Sequence, residues 1–301
     1  MGELYIVAGE AAAGKTAICA GLAINLLNAG KKVGYFKLQV AGNDDDISLM
    51  KKIPGLEIIA NDSNPSKGRD IVLAEAMPGK KTCETAKILK AKVIAVDTYT
   101  GQFAKSVSLY KGFGDSLMGV IINKAPQDLL KRVKEEAAAK FGAEGFKVLG
   151  VIPENRVLLA ITVGELAECI GGKITNHNEK SGELVENYML GAMVVGSGLD
   201  YFARKKNKAA VIREERLDMQ LAALETSTSC LVLSGGKMPP SYGVLYKAEN
   251  RGIPIITTET NVNDIITNIE NALTKTSLNH EKKLEKLAET VKQNLDMKAF
   301  G

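Results

Sequence analysis

Eight residues near the start constrain this chain more than any others: Gly9, Glu10, Ala11, Ala12, Ala13, Gly14, Lys15 and Thr16. An apolar run, Leu4 to Ala8, precedes them, and an alanine- and leucine-rich segment, Ala17 to Asn28, follows. The order is strand, glycine loop, helix, with the G-x4-G-K-T spacing of a phosphate-binding loop. Glycines allow the backbone to curl so that successive N–H groups face one phosphate, and the positive end of the next helix adds to that field. Lys15 is placed to reach the β- and γ-phosphates and the Thr16 hydroxyl to ligate magnesium. The spacing therefore predicts ATP and Mg2+ as cofactors, with the nucleotide held by Gly9 through Ala17. A glycine turn with a chance lysine is the alternative; the flanking strand and helix favour the phosphate reading.

The pattern continues as an α/β chain. Lys32 to Leu38 reads as a second strand closing on Lys37, and a polar Gly42-Asn-Asp-Asp-Asp leads to a short helix, Ile47 to Ile53. Strands are expected at Ile71–Ala74 ending in Glu75, at Lys92–Val96 ending in Asp97, at Leu117–Ile122 ending in Asn123, and at Val148–Ile152 ending in Pro153. Helices are expected at Ala86–Lys90 and Gln127–Lys140. Short continuous apolar strands alternating with helices indicate a parallel sheet covered on both faces. Ligands of such sheets sit at the carboxyl ends of strands, where Lys37, Glu75, Asp97, Asn123 and Pro153 fall.

The polar run Ile174 to Glu186 reads as a domain boundary. It divides residues 1–173, a nucleotide-binding domain, from 187–275, a smaller α/β domain, with 174–186 as linker and 276–301 as a helical tail. Strands at Ala209–Ile212, Cys230–Leu233 and Pro254–Thr257 alternate there with helices at Leu217–Thr226, Ser241–Asn250 and Val262–Leu273. Arg213 to Asp218, Gly235-Gly236 and Thr258-Glu259-Thr260 follow those strands and so share one crevice edge, a candidate effector site; a glycine after a strand is also an ordinary turn. In the tail, Leu284, Leu287, Val291 and Leu295 make one narrow stripe, suited to packing on the parent domain or on a partner protomer.

Composition excludes several classes. Lysines alternate with glutamates throughout, so the net charge of +4 reads as solvated helix faces and no nucleic-acid partner is expected. No apolar run approaches the ~20 residues of a spanning helix. The sequence opens directly on a strand, which leaves no room for a signal peptide. Cys19, Cys83, Cys169 and Cys230 are scattered, without a C-x-x-C or a histidine at ligand spacing, as in a reducing cytoplasmic setting. His177 and His280 alone cannot build a zinc site.

With the phosphate loop, Gly34-Tyr-Phe-Lys37, the strand ending in Glu75 and Asn123 placed, the first half resembles the dethiobiotin synthetase-like ATPases. It is more similar to their degenerate version at the N-terminus of long bacterial phosphate acetyltransferases, through Val148-Leu-Gly-Val-Ile-Pro-Glu and Thr162-Val-Gly-Glu-Leu-Ala-Glu. The second half, with Leu221-Ala-Ala-Leu-Glu-Thr-Ser-Thr and Pro239-Pro-Ser, resembles the DRTGG domain that follows in those enzymes. The letters D-R-T-G-G do not occur as such; the corresponding loop reads Arg213-Glu-Glu-Arg-Leu-Asp. The resemblance places Gly301 about where an acetyltransferase domain begins, so acetyl transfer is not expected of this chain alone.

Individual roles follow. Lys37 is either a second ammonium at the γ-phosphate or an exposed strand-end lysine. Of Asp44, Asp45 and Asp46, one ligates magnesium and one caps the helix at Ile47, with Asp44 or Asp46 favoured for the metal. The resemblance makes Glu75 a magnesium-linked acid; a plain loop glutamate is the alternative. Lys15, Lys37 and Glu75 are thus the catalytic candidates, and Thr16, Asp44, Asp46 and Glu75 the metal candidates. Asn123 suits adenine, with Pro153 on the same edge. Glu10, an acid inside an anion loop, must point away toward metal, water or a partner protomer.

Three functions are consistent with this. The first is a regulatory or assembly ATPase whose DRTGG domain reports nucleotide state to a separately encoded metabolic enzyme, working as a homodimer without stable membrane association. The second is an ATP-dependent ligase or carboxylase, disfavoured by the short segment between Asp46 and Ile71. The third is a membrane-cycling partitioning ATPase, disfavoured by the missing extra lysine at positions 10 to 13 and by the glutamates on the tail's polar face.

Overall fold

A computed structural model describes residues 2–39, 45–60, 64–100, 103–192, 196–236 and 239–300. The chain forms two compact units, Met1–Asn155 with Leu278–Gly301, and Arg156–Ser277.

The first unit contains β1 (Glu3–Gly9), α1 (Lys15–Asn28), β2 (Val33–Lys37), α2 (Asp45–Met50), β3 (Glu57–Ile58) and β4 (Ile71–Ala76). It continues through α3 (Lys80–Ile88), β5 (Lys92–Thr98), α4 (Ala104–Lys111), β6 (Leu117–Ala125), α5 (Leu130–Gly142) and β7 (Val148–Pro153). The seven strands form one parallel sheet in the order β3-β2-β4-β1-β5-β6-β7. β1 is central because it is apolar on both faces. Leu4, Ile6 and Ala8 join a core with Ala86, Val107, Tyr110, Val133 and Phe141 from the helices of one face. Tyr5 points to the other face, where its ring meets Phe300 at 5.8 Å between centroids. Since β4 and β5 flank β1, the loop leaving β1 opens where successive connections diverge, the crevice in which such sheets bind ligands.

The second unit runs through α6 (Arg156–Leu159), β8 (Ile161–Thr162), α7 (Val163–Cys169), β9 (Lys173–Ile174), β10 (Leu184–Val185) and β11 (Asn187–Leu190). It continues with α8 (Gly198–Ala203), β12 (Lys208–Arg213), α9 (Leu217–Leu224), β13 (Thr228–Ser234), α10 (Tyr242–Arg251), β14 (Ile255–Thr258) and α11 (Val262–Thr274). Its sheet has the order β11-β12-β13-β14-β9, parallel except for β9, with an apolar core on each face. Thr162 and Glu165 form a capping box that starts α7, and Asn261 caps α11 by accepting from the Asp264 amide at 3.0 Å.

The tail is α12 (Glu281–Asn294), and it completes the first unit. Leu287, Val291 and Leu295 are buried, so most of its apolar stripe is covered by the parent unit. The close approach to α1 depends on Gly21, where a Cβ would lie 2.5 Å from Val291 Cγ2. Asn25 Nδ2 donates to the Ala288 carbonyl at 2.8 Å across the same contact.

The division differs from the one expected from composition. The first unit closes at Asn155 rather than 173, and the polar run at 174–186 is not a free linker but carries Ile174 of β9, a 3-10 turn and β10. Those strands are two residues long, β9 at the edge of the five-stranded sheet and β10 paired with β8 in a two-stranded sheet. α4, α8 and β11 escaped the sequence reading, and α3 begins at Lys80, ahead of the expected Ala86.

Candidate functional site

The loop between β1 and α1 has the form its residue types dictate. Ala12 (φ 60°) and Gly14 (φ 84°) are left-handed, which turns the backbone back on itself. The Ala13 amide closes the turn on the Glu10 carbonyl at 3.3 Å. Among the described residues, the amides of Ala12, Gly14, Lys15, Thr16 and Ala17 find no acceptor. α1 has no side-chain cap and no acid in its first turn. Five open donors at the start of a 14-residue helix form an anion cup.

Lys15 is 9% exposed, and its ammonium donates to the Glu10 carbonyl at 2.9 Å, beside Met77 Sδ at 3.6 Å. Below it lies a carboxylate network. Glu75, buried at the end of β4, accepts from Tyr35 Oη at 2.9 Å and from Thr16 Oγ1 at 3.0 Å. Lys37 pairs with Asp46 at 2.5 Å, and both act electrostatically on Glu75. Burial raises the Glu75 carboxyl above its usual range, against the opposing pull of Lys37, Tyr35 and Thr16. Burial likewise pushes the Tyr35 phenol up, so Tyr35 serves as a donor.

The structure thus gathers Lys15, Thr16, Lys37, Asp46 and Glu75 at the ends of β1, β2 and β4. Asp44 lies outside the described residues, and Asp45 starts α2. Glu10 and Ala11 are exposed on the outer side of the loop. Asn123 is buried behind it, with Nδ2 donating to the Ala13 carbonyl at 3.0 Å, so one amide hydrogen is spent on holding the loop. Lys124 adds a second tie, to the Ala12 carbonyl at 3.0 Å. Pro153 is half-buried and pairs with Ala125 in the sheet. Asp97 caps its own strand end through the Thr98 amide at 2.8 Å.

Tyr35, Met77 and Lys124 were not singled out by sequence reasoning. Tyr35 was legible in principle: β2 alternates, and a tyrosine two residues before Lys37 shares its face. The oxygen donors present, Thr16 hydroxyl with the Glu75 and Asp46 carboxylates, are of the kind magnesium takes. Among the described residues, no group of three or more His, Cys, Asp or Glu side chains converges on a metal position. All four cysteines are free.

A parallel sheet with an open amide cup and a buried lysine at its central strand defines a P-loop nucleotide-binding protein. The CobQ/CobB/MinD/ParA nucleotide binding domain matches residues 4–165, and the chain belongs to that family. A DRTGG domain matches residues 165–272. The nucleotide-binding match is to the broad family and does not single out a dethiobiotin synthetase branch. Curated relatives include the phosphate acetyltransferases of Pseudomonas aeruginosa (22% identical over 94% of this chain and 49% of that protein) and Pseudomonas putida (22%, over 98% and 51%). The chain spans about half the length of these relatives. Among solved structures, it is similar to the septum site-determining protein MinD complexed with Mg-ADP from Pyrococcus horikoshii (17% identity, 52% of this chain, 84% of that one, TM-score 0.37). Among the described residues, no helix is long and apolar enough to cross a membrane.

Proposed function

We propose that this protein binds Mg·ATP in the cup between β1 and α1 and hydrolyses it slowly, as a regulatory module for a metabolic partner of the phosphate acetyltransferase type. The observation that carries this reading is the set of open amides from Ala12 to Ala17 over the buried Lys15, with Thr16 tied to Glu75. The β- and γ-phosphates occupy the cup, and Lys15 exchanges the Glu10 carbonyl for phosphate oxygens. Thr16, Glu75 and Asp46 would hold magnesium, which would supply charge neutralisation at the phosphates. Tyr35 keeps the Glu75 carboxylate oriented, and Lys37 offsets developing charge at the γ-phosphate.

The reading of ATP as the nucleotide rests on Asn123 without a following Asp, since Asn123-Lys124-Ala-Pro lacks the guanine-specific pattern. The regulatory role rests on the DRTGG match and on the similarity to phosphate acetyltransferases. Homodimers and a cytoplasmic setting belong to the same proposal. The test is ATP turnover by the purified chain, alone and with phosphate acetyltransferase. The proposal predicts slow basal turnover that changes when the partner is added; fast partner-independent turnover contradicts it.

A further inference from the structure

The second unit holds a cavity of its own. It has a volume of about 500 Å³ and is lined by Arg213, Glu215, Ser234, Gly235, Asn261 and Asn263, with α11's first turn. Its position follows from topology: β12 ends at Arg213, β13 ends at Ser234, and α11 starts at Val262. In a parallel sheet this edge is where ligands bind.

Three features give the cavity a chemical preference. Ser234 is only 2% exposed, yet it lines the cavity, and among the described residues its hydroxyl has no hydrogen-bond partner. That hydroxyl borders the cavity and is available to a ligand oxygen there. The first two amides of α11, Val262 and Asn263, are open, while Asn261 uses its side chain on Asp264. Arg213 is exposed and only loosely paired, 3.9 Å from Glu215. The loop carrying Arg213 is held from below by Gln220 Nε2, which donates to the Arg213 and Glu214 carbonyls at 2.9 Å each. Gly235 turns with φ 73°, so the backbone beside Ser234 passes the cavity without a side chain in the way.

A guanidinium, an unpaired hydroxyl and two open helix amides make up the donor set of a tetrahedral-anion site. Two carboxylates stand among these groups, Glu215 at 3.9 Å from Arg213 and Asp264 in the first turn of α11. Asp264 is occupied by the Asn261 amide at 2.7 Å, and Glu215 offers a carboxylate that suits hydroxyl groups. We infer that the second unit binds a small phosphomonoester with a hydroxyl-rich body, its phosphate on Arg213, Ser234 and the α11 amides. Sugar phosphates and nucleoside monophosphates share this chemistry, and the volume admits either. The inference rests on the reading of the second unit as an effector domain.

The experiment uses the full chain carrying Lys15→Ala, which removes the P-loop as a competing phosphate site. Calorimetry with ribose 5-phosphate, AMP and unphosphorylated ribose is compared with the same chain also carrying Arg213→Ala or Asn263→Asp. Ribose 5-phosphate or AMP binds one-to-one, ribose does not, and each added substitution weakens binding at least tenfold while thermal unfolding is unchanged. Preference for AMP identifies a nucleotide as the ligand class, and equal binding identifies the sugar phosphate moiety. Absence of binding by both phosphorylated probes overturns the inference, as does binding that ignores both substitutions. Mg·ATP binding to the unsubstituted chain reports separately on the P-loop, so the two readings fail independently.

Discussion

Two opposite backbone substitutions in the phosphate loop test whether its geometry is imposed by the fold. Gly14 has φ 84° and packs so that an added Cβ would lie 2.3 Å from Asn123 Nδ2. Gly14→Ala adds the left-handed penalty of an L-residue, about 1–2 kcal/mol. It also displaces Asn123 from the Ala13 carbonyl, a loss of about 1 kcal/mol. Restricting the unfolded chain returns about 0.4–1 kcal/mol, so the net destabilisation is about 2 kcal/mol. Ala12, at φ 60°, already bears the left-handed penalty. Ala12→Gly removes about 1–2 kcal/mol of strain and gives back about 0.4–1 kcal/mol to the unfolded chain, a net stabilisation of about 0.5–1 kcal/mol. Urea unfolding followed by circular dichroism, without nucleotide, measures both. A destabilised Ala12→Gly, or a neutral Gly14→Ala, refutes the assigned loop conformation. Asn123→Ala in the Gly14→Ala background relieves the collision, so the two effects are less than additive.

Three further outcomes follow. Glu75→Gln weakens Mg·ATP binding but raises the stability of the nucleotide-free protein at neutral pH, because burial makes the charged carboxylate costly. A raised carboxyl pKa means stability is lost as pH rises through the folded value, so the gain from Glu75→Gln shrinks on acidification toward pH 4.5, as urea midpoints will show. Lys208, fully buried and donating to Thr226 Oγ1 and the Ser227 carbonyl, has its pKa lowered by burial from 10.5 to about 8. The unfolded chain keeps that proton longer, so stability of the second unit rises between pH 8 and 10.5, by up to ~3 kcal/mol, and Lys208→Met flattens the slope in pH-dependent unfolding. Gly21→Val drives α12 from α1 and exposes residues 278–301 to limited proteolysis, whereas Ala29→Val, beyond the contact, leaves the tail protected.

The parallel sheet of the first unit was legible because its strands are continuous apolar runs, and Leu4–Ala8 can only be a buried strand before so specific a loop. The ends of β2 and β4 were legible for the same reason, which placed Lys37 and Glu75 correctly at one edge. Tyr35 shares the face of Lys37 in the β2 alternation, but its hydroxyl matters only once β4 is known to lie beside β2. Asn123 was read by analogy with adenine recognition, while its hydrogen bond to Ala13 depends on the packing of β6 behind the loop. The unit boundary was obscured because α12 returns to α1 after the whole second unit, a long-range contact no local pattern encodes. Ser234 carried no signal, since a serine closing a strand is ordinary until its missing partner is seen.

Calorimetry of Mg·ATP against the full chain and its Lys15→Ala variant decides whether the loop between β1 and α1 is a nucleotide site. One-to-one binding by the unsubstituted chain is expected, with at least a hundredfold loss, about 2.7 kcal/mol, in Lys15→Ala. No heat with the unsubstituted chain, or equal affinity for both, contradicts it.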